Sequence, residues 1–195
     1  MIALGLHDVG RADPELSGDN KKNEDEHPEY SYKFALDYLK DKDIPEDLKN
    51  EILEAIRGHG TREDKTSLIA AVVYMCDKVF SKQRFKDNED TREHPVYKNW
   101  LLVDSVDFKV DGNKLVVTHN CADGISEDFF TNYGGLKQWD KVHHAVDNVA
   151  KLVGLEAEVG FQNLDGSERR PSINRENINA IREQIEITKR EKDKA

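Results

Sequence analysis

The chain has 195 residues, with 29 Lys and Arg against 39 Asp and Glu, a formal charge of −10 with histidine neutral. That balance argues against a polymeric nucleic acid or an anionic membrane as partner, because phosphate neutralisation needs a basic face. Hydrophobic residues make up 37% and charged ones 35%, enough clustered apolar side chains for a core of one ordinary or two small domains. No apolar run reaches the roughly 20 residues of a membrane-spanning helix, and no basic stretch precedes an apolar one at the start, so a cytoplasmic protein is expected. The two cysteines, Cys76 and Cys121, read as reduced thiols.

The opening Met1-Ile2-Ala3-Leu4-Gly5-Leu6 is apolar from its first residue without a cap, like an element entered part-way. Residues 12–26 are polar, with Pro14 and Gly18, and predict an exposed loop. A first helix is predicted from Pro28, placing Tyr30, Phe34, Leu36, Tyr38 and Leu39 at mostly helical spacing. A second starts at Pro45, with Glu46 and Asp47 in its first turn, and carries Leu48, Ile52, Leu53 and Ile56 to Gly58. A third runs from Ser67 to Phe80, with Leu68, Ile69, Val72, Val73, Cys76, Val79 and Phe80 as its apolar stripe.

Charge dominates between Lys82 and Asn99, where a boundary is expected. The period then changes. Val106, Phe108 and Val110 alternate with polar residues, Asp111-Gly112-Asn113 supplies a turn, and Leu115 to Val117 make a second strand of a hairpin. Leu136, Trp139, Val142, Val146, Val149 and Val153 define a helix ending at Gly154, and Ala157, Val159 and Phe161 alternate as a further strand. The tail, 174–190, is helical by composition, with Ile178, Ile181 and Ile185 on a narrow stripe that needs a partner, either the rest of this protein or a second copy in a homodimer. The expected fold is α+β: a mainly helical domain over 1–95, a small α/β hairpin-helix-strand domain over 96–170, and an amphipathic C-terminal helix over 171–195.

Several polar residues stand where a charge or imidazole is out of place. His7-Asp8 follows the apolar opening, and Asp77 lies inside Val72-Val73-Tyr74-Met75-Cys76-Asp77-Lys78-Val79-Phe80. A buried carboxylate is expensive unless a cation or several donors satisfy it. Taken alone, Asp77 has an ordinary reading as partner of Lys78, Lys82 or Arg84. His27 before a helix start and His59 between Gly58 and Gly60 likewise read singly as loop or terminal residues. Together, two carboxylates and three histidines from four elements form a nitrogen and oxygen set suited to Mn²⁺, Fe, Co²⁺ or Ni²⁺, and the lack of cysteine in it disfavours structural zinc. His143 and His144 on the late helix, with His94 and His119, carry the default of packing or structural residues.

Four segments taken in order, His7-Asp8-Val9-Gly10-Arg11, His27-Pro28-Glu29-Tyr30-Ser31, Ala55-Ile56-Arg57-Gly58-His59 and Tyr74-Met75-Cys76-Asp77-Lys78-Val79, resemble the ordered motifs of the HD-domain metal-dependent phosphohydrolases. The hairpin, helix and strand downstream resemble the small α/β extension of one bacterial and archaeal branch, so the similarity covers roughly residues 1–163. The resemblance implies a helical bundle with one or two divalent ions (Mn, Fe, Co, Ni or Mg). His7, Asp8 and Asp77 would serve one site and Asp8, His27 and His59 the other, with Asp8 bridging and serving as the catalytic residue. Arg11, Arg57, Lys78 and Arg84 would hold phosphate. The family's first ligand is a histidine on a helix upstream of the HD dipeptide, which this sequence does not show, so the expectation is either an N-terminal helix ahead of Met1 or a site completed without that ligand. The implied activity is hydrolysis of a small phosphoester, a nucleotide or phosphorylated metabolite. The alternatives are a non-catalytic ligand-sensing or assembly domain on the same fold, or a helical domain without metal.

Overall fold

A computed structural model describes residues 1–16, 18–79, 101–125, 130, 133–170, 183, 186, 187 and 190. It is an α+β fold, divided into two compact units, Met1–Asp77 and Lys78–Ala195. The boundary expected near residue 95, together with Phe80, Arg84 and His94, lies outside the described residues. So does the tail helix, apart from residues 183, 186, 187 and 190, which are helical. Among the described residues, no helix is long and apolar enough to cross a membrane.

In the first unit, α1 (Ile2–Leu6) leads through His7-Asp8 into two 3-10 turns, Val9–Ala12 and Pro14–Leu16. Helix α2 spans Asn20–Leu39, α3 spans Glu46–Arg57 and α4 spans Leu68–Lys78. The expected loop over 12–26 and the helix start at Pro28 are both corrected: α2 begins about two turns earlier, at Asn20, and Pro28 lies inside it. The starting signal is Asp19, whose side chain accepts the Lys22 N–H at 2.9 Å. The face of α2 is corrected as well. His27, Ser31, Ala35 and Leu39, each one turn from the next, are buried, whereas Phe34, Leu36 and Tyr38 are about half exposed.

Helix α3 follows its predicted pattern at Ile52, Leu53 and Ile56, which are buried together with Ala55, whereas Leu48 is exposed. Its acidic first turn and Arg57 in its last complement the helix dipole. Ser67 starts α4 by accepting the Ala70 N–H at 3.1 Å. The stripe expected on α4 shifts, with Tyr74 and Met75 buried, and Leu68 and Cys76 exposed. These helices close on one core of Ala3, Ala35, Leu39, Ile52, Leu53, Ala55, Ile56 and Val73. Each fully buried Leu or Ile there contributes about 1.5–3 kcal/mol relative to exposure.

The second unit is a four-stranded sheet in the order β1-β2-β3-β4, with β1 at Val103–Asp111, β2 at Lys114–Cys121, β3 at Glu156–Asn163 and β4 at Arg169–Arg170. Strands β1 and β2 form the expected antiparallel hairpin around Gly112-Asn113, and Gly112 takes φ +59°, as such a tight turn requires. Strands β2 and β3 are parallel, a pairing that needs a crossover, and α5 (Tyr133–Leu152) supplies it. Helix α5 ends where Gly154 adopts φ +74° and the Leu155 N–H reaches the Ala150 carbonyl at 2.8 Å. Trp139 stacks on Phe161 at 4.8 Å between ring centroids, fixing α5 on the sheet. Two features depart from expectation. The short β4 extends the hairpin-helix-strand plan, and Phe108 and Val110 of β1 are exposed although their alternation marks a core face.

Candidate metal centre

The centre is built wholly within the first unit, from the ends of short elements and one face of α2. His7 closes α1, and Asp8 opens the following 3-10 turn. His27 lies on the buried face of α2, His59 in the turn after α3, and Asp77 on the inner side of α4. The five candidate ligands of the sequence come together as two overlapping triads, Asp8/His27/His59 and His7/Asp8/Asp77. Within each triad the candidate ligand atoms lie within 4.8 Å of one another.

Each imidazole is oriented through Nδ1. His7 Nδ1 contacts the Leu4 carbonyl at 2.8 Å, His27 Nδ1 the Asn23 carbonyl at 2.9 Å, and His59 Nδ1 the Ile56 carbonyl at 2.6 Å. A carbonyl only accepts, so Nδ1 carries the proton in all three, and in the neutral ring Nε2 presents a lone pair. Backbone partners of this kind fix the rotation and tautomer of metal-binding histidines.

The first triad is tight. His27 Nε2 and His59 Nε2 stand 3.0 Å apart, and the Asp8 Oδ1 atom is 3.2 Å from the former and 3.4 Å from the latter. Two lone pairs at that separation repel unless a proton or a metal cation lies between them. Ligands about 2.1 Å from one ion, at angles between a right angle and the tetrahedral one, stand about 3.0–3.4 Å apart. The three edges therefore match one face of a coordination shell. Asp8 Oδ1 is also a buried oxygen without a hydrogen bond of good geometry, although Arg11 Nε stands 3.0 Å from it. The second triad is wider, with His7 Nε2 at 3.6 Å from Asp8 Oδ2 and 3.9 Å from Asp77 Oδ1. Partial burial pushes the Asp8 carboxyl upward. Contacts with His27 and His59 and the charge of Arg11 outweigh this, holding it far below the ordinary carboxylate range.

Arg11 pairs with Asp8 through Nε at 3.0 Å, at the partly open rim of the site. Arg57 is turned elsewhere, pairing with Glu29 at 2.9 Å and lying over the Tyr32 ring. Lys78 follows Asp77 on α4, and Arg84 lies outside the described residues.

Sequence reasoning missed the residues that hold the ligands in place. The Gly10 N–H donates to Ser31 Oγ at 2.9 Å, and Asn23 Nδ2 donates to the Arg11 carbonyl at 3.0 Å. These two bonds clamp the Asp8 turn along α2. Lys65 Nζ donates to the carbonyls of Gly58 and Thr61, both at 2.8 Å, and so closes the turn that carries His59. Ser31 lies one helical turn beyond His27, a spacing that could have marked it. Asn23 and Lys65 sit in stretches of polar residues that offer no such signal.

Comparison with protein-family models, with curated proteins and with solved structures finds no match to this chain.

Proposed function

We propose that this chain is a divalent-metal phosphohydrolase of the HD type acting on a small phosphoester, a nucleotide or another phosphorylated metabolite. His7, Asp8, His27, His59 and Asp77 are its metal ligands. The observation that carries the reading is that Asp8 belongs to both ligand triads, the arrangement expected of a carboxylate bridging two ions. Bound there, divalent cations supply Lewis acidity toward a phosphoryl oxygen and make water a nucleophile at neutral pH. The chain's own groups do the rest. The carbonyl-bonded imidazoles present Nε2 without rearrangement. Arg11, held at the rim by Asp8, has further N–H groups for the oxygens of a phosphate. A net charge of −10 favours a small, metal-neutralised substrate over a long polyanion.

The test is metal content by elemental analysis together with hydrolysis of phosphomonoesters, phosphodiesters and nucleoside triphosphates with Mn²⁺ supplied. Asp8→Ala is expected to lose both ions and all turnover. His59→Ala and Asp77→Ala are each expected to lose one ion, because each residue serves a single triad. Metal retained by Asp8→Ala would overturn the ligand assignment, and stoichiometric metal without turnover on any phosphoester would overturn the hydrolase.

A further inference from the structure

Strand β1 is the last strand on its side of the sheet among the described residues, and its outer half, 107–111, is exposed. Edges of this kind template pairing with another strand unless they are blocked by proline, a bulge or inward charge. The single irregularity of the β1–β2 ladder lies between Val103 and Ser105, so the pairing is regular from Ser105 to Asp111. No proline interrupts that stretch.

The hairpin determines which backbone groups face outward. Asp111 and Lys114 flank the two-residue turn and form its hydrogen-bonded pair, so Asp111, Lys109 and Asp107 direct their N–H and C=O groups toward β2. The groups of Val106, Phe108 and Val110 then point away from the sheet. The side chains of these three residues share the face that α5 covers, because their partners Leu115, Val117 and His119 lie beside Ala157, Val159 and Phe161, and Phe161 stacks on Trp139 of α5. That cover ends short of β1, leaving Phe108 48% and Val110 65% exposed.

We propose that a second copy of this chain occupies this edge, its β1 running antiparallel to the first across a two-fold axis at Phe108. The strand is complementary to itself in that register. Phe108 meets Phe108 of the other copy, and Val106 meets Val110, so each outward N–H and C=O finds a partner. Between these pairs Asp107 stands opposite Lys109 of the other copy, twice over, on the opposite face of the sheet. An axis at Asp107 or Lys109 would instead oppose like charges. The residues are free to exchange into this arrangement. Lys109 pairs with Asp111 on the exposed surface at 2.9 Å, a bond of little strength, and Asp107 uses only Oδ2 toward Asn120. The two sheets become one of eight strands, and the exposed Phe108 and Val110 side chains of both copies fill the trough between the two α5 helices.

The experiment is light scattering and sedimentation of the full chain over a concentration series. The wild type is expected at twice the chain mass. Asp107→Lys and Lys109→Asp are each expected to weaken self-association about tenfold or more, because each opposes like charges twice. An equimolar mixture of the two variants is expected to recover the dimer, since lysines of one then face aspartates of the other at both positions. Circular dichroism reports whether the variants fold. Val110→Lys, at an exposed side chain outside the ion pairs, gives the same loss should either fail to do so. A wild type that stays monomeric throughout, a dimer indifferent to all three substitutions, or folded variants whose mixture associates no better than either alone would overturn the proposal.

Discussion

At Gly10 a Cβ would stand 2.5 Å from both the His27 carbonyl oxygen and the Ser31 amide nitrogen, and 2.8 Å from Tyr30 Cβ. All are too close for any side chain, and two of the three are backbone atoms that cannot swing aside. Gly10→Ala must therefore push the Asp8 turn off α2, breaking the Gly10–Ser31 bond. The expected loss is about 1–3 kcal/mol in a urea titration, with divalent-metal affinity falling about 10- to 100-fold as Asp8 and Arg11 move with the turn. Calorimetric titration with Mn²⁺ checks the second effect, and an alanine variant of unchanged stability and affinity would show that the close packing does not position the ligands. Gly10 illustrates what the sequence discloses at this scale. His7, Asp8 and Asp77 were legible because a charge or imidazole amid apolar neighbours demands a partner, whereas His27 and His59 stood out only through their place in the set and its ordered motifs. A glycine that yields space to another element carries no such mark until the element beside it is known.

Helix α2 is the element on which sequence and structure differ most, and its chemistry explains why. The inward face holds His27 and Ser31 before it reaches Ala35 and Leu39, so its first half has no apolar period to detect. The outward face carries Phe34 and Tyr38, stacked on each other one turn apart, and imitates a buried stripe. Pro28 completed the misreading, since a proline is expected in the first helical turn and here sits mid-helix. Helices α3 and α5 were legible because burial and periodicity largely agree in them, and the hairpin because its alternation and its Gly112-Asn113 turn mark it even where β1 is exposed, whereas the two-residue β4 is too short to show a pattern. The parallel pairing of β2 and β3 lies in the connection between strands rather than in either one. An interior proline removes one helical hydrogen bond and crowds the preceding turn, at about 3 kcal/mol in an isolated helix. Pro28→Ala is thus expected to raise stability, by about 1 kcal/mol or more after loss of the ring's own packing, as read by thermal melting. A fall instead would mean that the packing of the proline ring outweighs its cost to the helix.

Across the whole molecule, acid acts through two opposing effects. The chain carries −10 near neutrality with an isoelectric point of about 5.2, so lowering the pH from 7 toward 5 relieves self-repulsion and favours the compact state. His119 works the other way in the second unit. It is fully buried beside Phe161, its Nδ1 at 3.3 Å from the Gly160 carbonyl, and burial pushes it down to about 4 from 6.5. Between those two values the unfolded chain binds a proton that the folded unit refuses. Stability is therefore undiminished above pH 6.5, declines as pH falls through that window, and levels off near pH 4. A shift of this size corresponds to a loss on the order of 3 kcal/mol. Trp139, stacked on Phe161, reports the unit that holds His119, and Trp100→Phe leaves it the sole tryptophan. In that background, urea titrations followed by tryptophan fluorescence are expected to lose stability from pH 6.5 to 4. Adding His119→Phe, which keeps an aromatic ring against Phe161 and removes the titrating group, should flatten the profile and leave only the relief of net charge. An equally steep decline in the His119→Phe protein would assign the acid sensitivity to carboxylates instead.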